Sequence, residues 1–575
     1  MATSHSNKPD SAIEEAVERF VDAVDEMAVP FRWYLFGIVG SSIGFFLLTV
    51  AVALVLDFPI YVRLPFPVLG LLAVVAALMY PQLLVEGRRK EMDTRLHLLV
   101  THMTVLSTTN IDRMSVFRTL AREEEYRALA DEMARIVQLV DAWHQSLDDA
   151  CRRRAKEVPS KALSNILDRL AYTLGAGQEL RDFLLSEQHV IMENYVTVYE
   201  SALGNLAVMK DLYLSMILSM TFGLVFAIVL PVLTGTDPTL TVSAVIVLFG
   251  FVQLGFALAI KAVTPYDPVW YRAKSITPRS AGVVRYSVVG GMALAALLLV
   301  AVLLDLFGVV GLGLLARLPM PVVAVLPLTP LLFPGVIIRR EEAAIKERDE
   351  EFPSFIRALG AAESAKQTTT TAVLKDLRKK DFGSLTTDIN NLYKRLNLRI
   401  EPARAWRYFA ADTQSYLIQK FSEMYLVGRQ MGGEPKQLGE IISSNMNEVL
   451  QLRERRDQET VTLIGVLYGI TAASTFALFI GLTIVQILSD MAVDLSANGA
   501  AGVGQLLSTA SYNLPLIEFF LIVVILFNAV LSSLMIRTLD GGHKINAYLH
   551  LVILAWLGAL IAVLTEAVVT AVLNV

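Results

Sequence analysis

The sequence predicts an all-α polytopic membrane protein, with about nine transmembrane helices and two duplicated cytoplasmic helical bundles. Three observations carry that expectation. The 575 residues are 54% hydrophobic and 18% charged, and a mean hydropathy of +0.53 is more than a water-soluble chain of this length sustains. Apolar runs of roughly 20 residues, enough to cross a bilayer, recur along the chain. Two long polar segments interrupt them at corresponding places.

Residues 1–32 read as a cytoplasmic tail followed by an acidic amphipathic helix near 11–27, without the basic-then-apolar pattern of a signal peptide. A first pair of spans is expected within 33–85, at 33–56 and 64–85, and a polar segment follows at 86–210. Further pairs fall in 212–263 and 286–338. The second polar segment is 339–459, then come spans within 460–536 and a ninth at 547–573. If both polar segments face the cytoplasm, the outer loops keep only Arg63 and Arg317. The excess of basic residues on the inner side therefore places the N-terminus in the cytoplasm and, with nine spans, the C-terminus outside.

Each half has one plan: a span pair, a polar segment and a second span pair. Because both polar segments lie on one side, the halves are parallel repeats. At an offset of 258, Leu163, Ile166 and Leu167 fall on Phe421, Met424 and Tyr425, and Gly175 falls on Gly433. Apolar residues at three- and four-residue intervals make both segments helical. Breaks are expected at "KEVPSK" (156–161), at "KKDFGS" (379–384) and at two glycine stretches, "LGAGQEL" and "GRQMGGEPKQLGEII".

Enzyme motifs fail individually. There is no GxxxxGK[ST] phosphate loop, no HExxH and only one cysteine, Cys151. "GSSIG" (40–44) has the letters of a nucleophile elbow but lies inside a span, where Gly40 and Gly44 read as a helix-packing face, a pattern repeated by Gly465 and Gly469. The chain is therefore expected not to be an enzyme and to hold no cofactor or metal. A net charge of −5 does not suit nucleic acid. The spans show few ionisable residues for an ion path, with Asp305 and Glu566 near the outer ends. Basic clusters remain at "CRRRAKE" (151–157) and "LKDLRKKD" (374–381), suited to inner-leaflet lipid or to a docking partner.

Paired helical domains, parallel duplication and a glycine-acid turn before an amphipathic helix resemble the type II secretion F (T2SF) family. That family's turn, G-E-x-x-G followed by Leu, is matched by Gly433, Glu434 and Leu438, with Lys436 and Gln437 where a second glycine is expected. The first copy departs further, with Gly175, Ala176 and Gly177. The extra spans resemble the family's archaeal branch, nearest its archaellum platform members. The resemblance implies a non-enzymatic platform in the cell membrane. It implies as partners a hexameric secretion-type ATPase, pilin- or archaellin-like filament subunits, the lipid bilayer and a second copy in a homodimer. Arg152, Arg153, Arg154, Lys375, Arg378, Lys379 and Lys380 are the expected ATPase-facing charges. An adhesion-pilus platform is the alternative within the family. A membrane transporter or scaffold is the alternative outside it.

Overall fold

A computed structural model describes residues 33–55, 65–109, 111–234, 238–265, 267–272, 276, 278, 280–306, 318–497 and 514–573. The expected N-terminal helix near 11–27 lies outside the described residues, as does most of the outer loop 489–514. Among the described residues the fold is helical, and the one extended pairing is an isolated bridge between Trp270 and Ser415.

The chain divides into two compact units, Met1–Ile191 and Met192–Val575. In the first unit a π-helical turn, Tyr34–Val39, leads into α1 (Gly40–Val55). The Tyr34 hydroxyl donates to the Ala77 carbonyl at 3.1 Å, tying that turn to α2 (Pro65–Ser107). Four shorter helices follow: α3 (Arg113–Ala121), α4 (Ala128–Asp141), α5 (Leu147–Glu157) and α6 (Lys161–Gly175). Asp112 caps α3, Ser146 caps α5 and Ser160 caps α6, each accepting a backbone N–H that the helix start leaves free. Leu99, Leu106, Phe117, Leu120, Met133 and Leu170 close the core. Helix α7 (Leu180–Thr234) starts in this bundle.

The second unit holds the rest of α7, then α8 (Pro238–Val263), α9 (Ser280–Leu306), the short α10 (Met320–Val325) and α11 (Leu332–Lys366). Its own bundle comprises α12 (Thr370–Leu377), α13 (Thr386–Asn397), α14 (Pro402–Thr413) and α15 (Tyr416–Gln430). Helix α16 (Pro435–Ala497) runs 63 residues from this bundle into apolar sequence. Helices α17 (Leu514–Asp540) and α18 (Ala547–Leu573) complete the unit. Each bundle thus has the order long helix, four short helices, long helix.

Eight helices among the described residues are long and apolar enough to cross a membrane. The expected span at 64–85 forms the first half of α2, where most side chains lie outside the described residues. Phe222, Phe226, Phe251, Leu258 and Leu297 point outward on these helices, as lipid-facing residues must. The chain is an integral membrane protein.

Helix packing uses different glycines from those expected. Around Gly44, Gly465 and Gly469 an added Cβ meets open space. Close approach occurs instead at Gly360 and Gly439, where α11 crosses α16: a Cβ on Gly439 would lie 2.9 Å from the Ile356 carbonyl oxygen.

Candidate functional site

Both glycine stretches are helix stops of one design. After α6, Gly177 takes φ +78°, and the Gln178 N–H donates to the Thr173 carbonyl at 3.1 Å. After α15, Gly432 takes φ +86°, and the Gly433 N–H donates to the Gly428 carbonyl at 2.9 Å. These are left-handed caps that satisfy the last carbonyls of a helix, and glycine tolerates them without a side-chain clash. Pro435 then opens α16 and Leu438 is fully buried. Glu434 contributes the carbonyl that accepts the Leu438 N–H at 3.0 Å.

The caps of the two bundles correspond at a different offset from the expected 258. Gly175 is still helical, so the turning glycines are Gly177 and Gly432, 255 residues apart. The serine caps agree, since Ser160 and Ser415 are also 255 apart and accept from Leu163 and Ile418 at 3.1 Å each. Each of these serines donates to an aspartate on the long helix leading into its bundle, Asp93 or Asp349. An offset of 258 differs by three residues, close to one helical turn, so the apolar faces matched while the loops did not.

The densest polar chemistry lies where the second bundle meets the apolar helices. Helix α11 becomes charged from Arg339 ("RREEAAIKERDEE"), outside any apolar span. Arg453 on α16 is buried and holds Asp267 through two bonds of 2.7 Å, Asp349 at 2.8 Å and the Pro268 carbonyl at 2.9 Å. The 267–272 segment is laid alongside the start of α15: the Tyr271 N–H donates to the Gln414 carbonyl at 2.7 Å and the Tyr416 N–H to the Val269 carbonyl at 3.0 Å. Burial pushes the Asp349 carboxyl up to about 6, against the pull of Arg453 and the Ser415 hydroxyl.

A second knot adjoins it. Glu342 accepts from the Trp270 indole and the Asn546 amide at 2.9 Å each, and from the His543 N–H. Burial raises the Glu342 carboxyl and lowers His543. Arg456 caps α17 through the Leu539 and Thr538 carbonyls at 2.6 and 3.2 Å. Lys346 pairs with Asp457 at 2.6 Å, and Arg339 with Asp540 at 3.1 Å. The bonds join α11, α16, the 267–272 segment and the α17–α18 turn. None is a nucleophile–base pair, and no metal-holding cluster of His, Cys, Asp or Glu occurs among the described residues.

A neutral cluster ties the apolar helices further along. Gln253 on α8 donates to Asn528 on α17 at 2.7 Å, and Asn528 donates to Thr471 on α16 at 2.9 Å. Thr221 on α7 donates to Ser474 at 3.0 Å.

The expected docking charges separate into two kinds. Arg154 is an internal strut, buried at 7% exposure and bonded to Glu132 at 3.0 Å and to Glu157. Arg378 lies over the Tyr393 ring at 4.4 Å. Arg152, Arg153, Lys375, Lys379 and Lys380 are exposed, with Arg152 near Asp149 (3.8 Å), Arg153 near Glu157 (3.4 Å) and Lys379 near Asp376 (3.9 Å). The residues missed by sequence reading are Asp267, Glu342, Asp349, Arg453 and Arg456. Their one visible signal was the mixed-charge run "LRERRDQE" at 452–459.

Comparison with known proteins matches residues 99–231 to the family model described as type II secretion system (T2SS), protein F. The chain is 34% identical over 520 residues to flagella accessory protein J of Methanocaldococcus jannaschii, covering 90% of this chain and 91% of that one. The chain belongs to the flagella accessory protein J family. It is also 32% identical over 509 residues to the protein of that name from Methanococcus voltae, covering 88% and 90% of the two chains. No solved structure matches it significantly. None of these names is that of a catalytic family.

Proposed function

We propose that this member of the flagella accessory protein J family is the membrane platform of an archaellum, coupling a cytoplasmic secretion ATPase to filament assembly and rotation. The end-to-end likeness to two flagella accessory proteins carries this reading. The structure supports it mechanically: α16 runs from a polar bundle into the apolar helices, braced by the Arg453 and Arg456 knots. In this reading the two bundles, 86–210 and 339–459, are duplicated cytoplasmic T2SF domains, the N-terminus is cytoplasmic and the C-terminus extracellular. The platform works as a homodimer beneath an ATPase hexamer. ATP chemistry stays with the ATPase, and this chain carries load. Among the docking charges, Arg152, Arg153, Lys375, Lys379 and Lys380 face solvent and would steer association, with Arg154 and Arg378 shaping the surface behind them.

A chromosomal deletion, complemented with the wild-type gene and scored separately for swimming and surface adhesion, tests the reading. Loss of swimming and archaella with adhesion retained is expected, together with ATPase co-purification on the tagged wild type. Loss of adhesion alone would transfer the protein to an adhesion pilus, and substrate uptake by liposomes containing it would favour a transporter.

A further inference from the structure

The turn between α13 and α14, at the tip of the second bundle, closes α13 with a left-handed cap like those at Gly177 and Gly432, but it carries exposed side chains that the cap does not need. Leu398 is 74% exposed. Arg399 follows at φ +59°, a left-handed conformation that a non-glycine residue adopts at some cost. It is held there because the Ile400 N–H donates to the Arg395 carbonyl at 3.1 Å. Lys394, Arg399, Arg404 and Arg407 are exposed, and among the described residues none of the four has a carboxylate partner. Glu401 is the only acidic residue between Lys394 and Arg407. Beside the turn opens a cavity of about 350 Å³ whose walls include Leu396, Pro402, Trp406, Tyr425 and Arg429.

The first bundle has a related but wider turn, closed from six residues back where the second closes from five. Trp143 is 67% exposed, His144 takes φ +53°, and the Gln145 N–H donates to the Leu139 carbonyl at 3.2 Å. Trp143 and His144 precede Leu398 and Arg399 by 255 residues, the register of the caps. An exposed apolar residue followed by a positive-φ residue thus occurs in both bundles.

We propose that the tip bearing Leu398, Arg399, Arg404 and Arg407 docks an acidic, apolar-pocketed surface of a soluble protein partner. Leu398 inserts, and Arg399, Arg404 and Arg407 meet carboxylates around it, while Arg429 in the wall of the adjoining cavity is already held by Glu363 at 2.9 Å. Charge selects an acidic partner. Position favours a protein over a lipid headgroup: the cavity beside the turn is also lined by Thr369 and Thr370, which follow the polar end of α11 at Lys366, roughly 40 Å of helix beyond Arg339 where its apolar part ends. Under the platform reading, on which the partner's identity rests, that surface belongs to the secretion ATPase.

The test uses the full-length protein in zwitterionic nanodiscs and the purified secretion ATPase of the same organism as probe. Leu398→Ser combined with Arg404→Glu and Arg407→Glu alters only exposed side chains, and an unchanged melting curve verifies folding. Affinity should fall at least tenfold, and wild-type affinity should drop with added salt. Binding within twofold of wild type in the triple variant overturns the tip assignment and leaves the platform reading standing. No ATPase binding by the wild type overturns both. If the wild type in the same nanodiscs captures phosphatidylglycerol vesicles while the triple variant does not, the tip is a lipid contact and the proposal falls.

Discussion

Arg453 is the residue on which the polar junction depends, because three elements converge on one guanidinium. Arg453→Ala strands Asp267 and Asp349 as buried carboxylates, a loss that costs about 3–5 kcal/mol in comparable buried pairs. Thermal unfolding in detergent should show a clear drop in melting temperature, whereas Arg152→Ala, at an exposed pair, should change little. Asp349 adds a pH signature. Its folded carboxyl titrates near 6, above the 3.8 of an ordinary aspartate, so between those values the folded state binds the extra proton. This group's share of stability is therefore largest below about pH 4 and falls as pH rises through 6. Subtracting the unfolding curves of Asp349→Asn from wild type across pH 4–7 should isolate that slope. A flat difference would show that Arg453 already holds the carboxyl in its ionised form.

Among the elements, the crossing of α11 and α16 is set by Gly360 and Gly439, and the apolar helices by Gln253 and Asn528. Gly439→Val forces side-chain atoms into the Ile356 carbonyl and should destabilise the second bundle by about 1–3 kcal/mol, read by limited proteolysis of the 339–459 region. Replacing Asn528 by Leu removes two interhelical bonds at about 0.6 kcal/mol each on average, a small loss measurable by unfolding in mild detergent. These elements also show what the sequence could reveal. Spans and bundles were legible because hydropathy and helical period are local signals. The cap and serine positions of the two bundles correspond at 255 residues, three short of the offset read from the apolar faces, since a helix face nearly repeats after one turn. The glycine caps were readable as turns, whereas which glycine takes positive φ depended on where each helix ends. The junction was not legible, because Arg453 meets Asp349 from 104 residues away and Asp267 from 186, and no spacing pattern encodes such a meeting.

At the scale of the whole molecule, a buried polar junction ties the second bundle to the apolar helices, and the sequence shows no recognisable catalytic motif. Under the proposed platform function, load applied to the second bundle would pass along α11 and α16 and across the Arg453 and Glu342 knots to the apolar helices. The most direct test replaces the buried charges together, with Asp267→Asn, Asp349→Asn and Arg453→Met, so that no charge is left unpaired and folding is spared. Filaments per cell are then counted by electron microscopy, beside membrane level and ATPase co-purification. Normal insertion and normal ATPase binding are expected, with filaments greatly reduced. Wild-type filament numbers in that variant would contradict this load path.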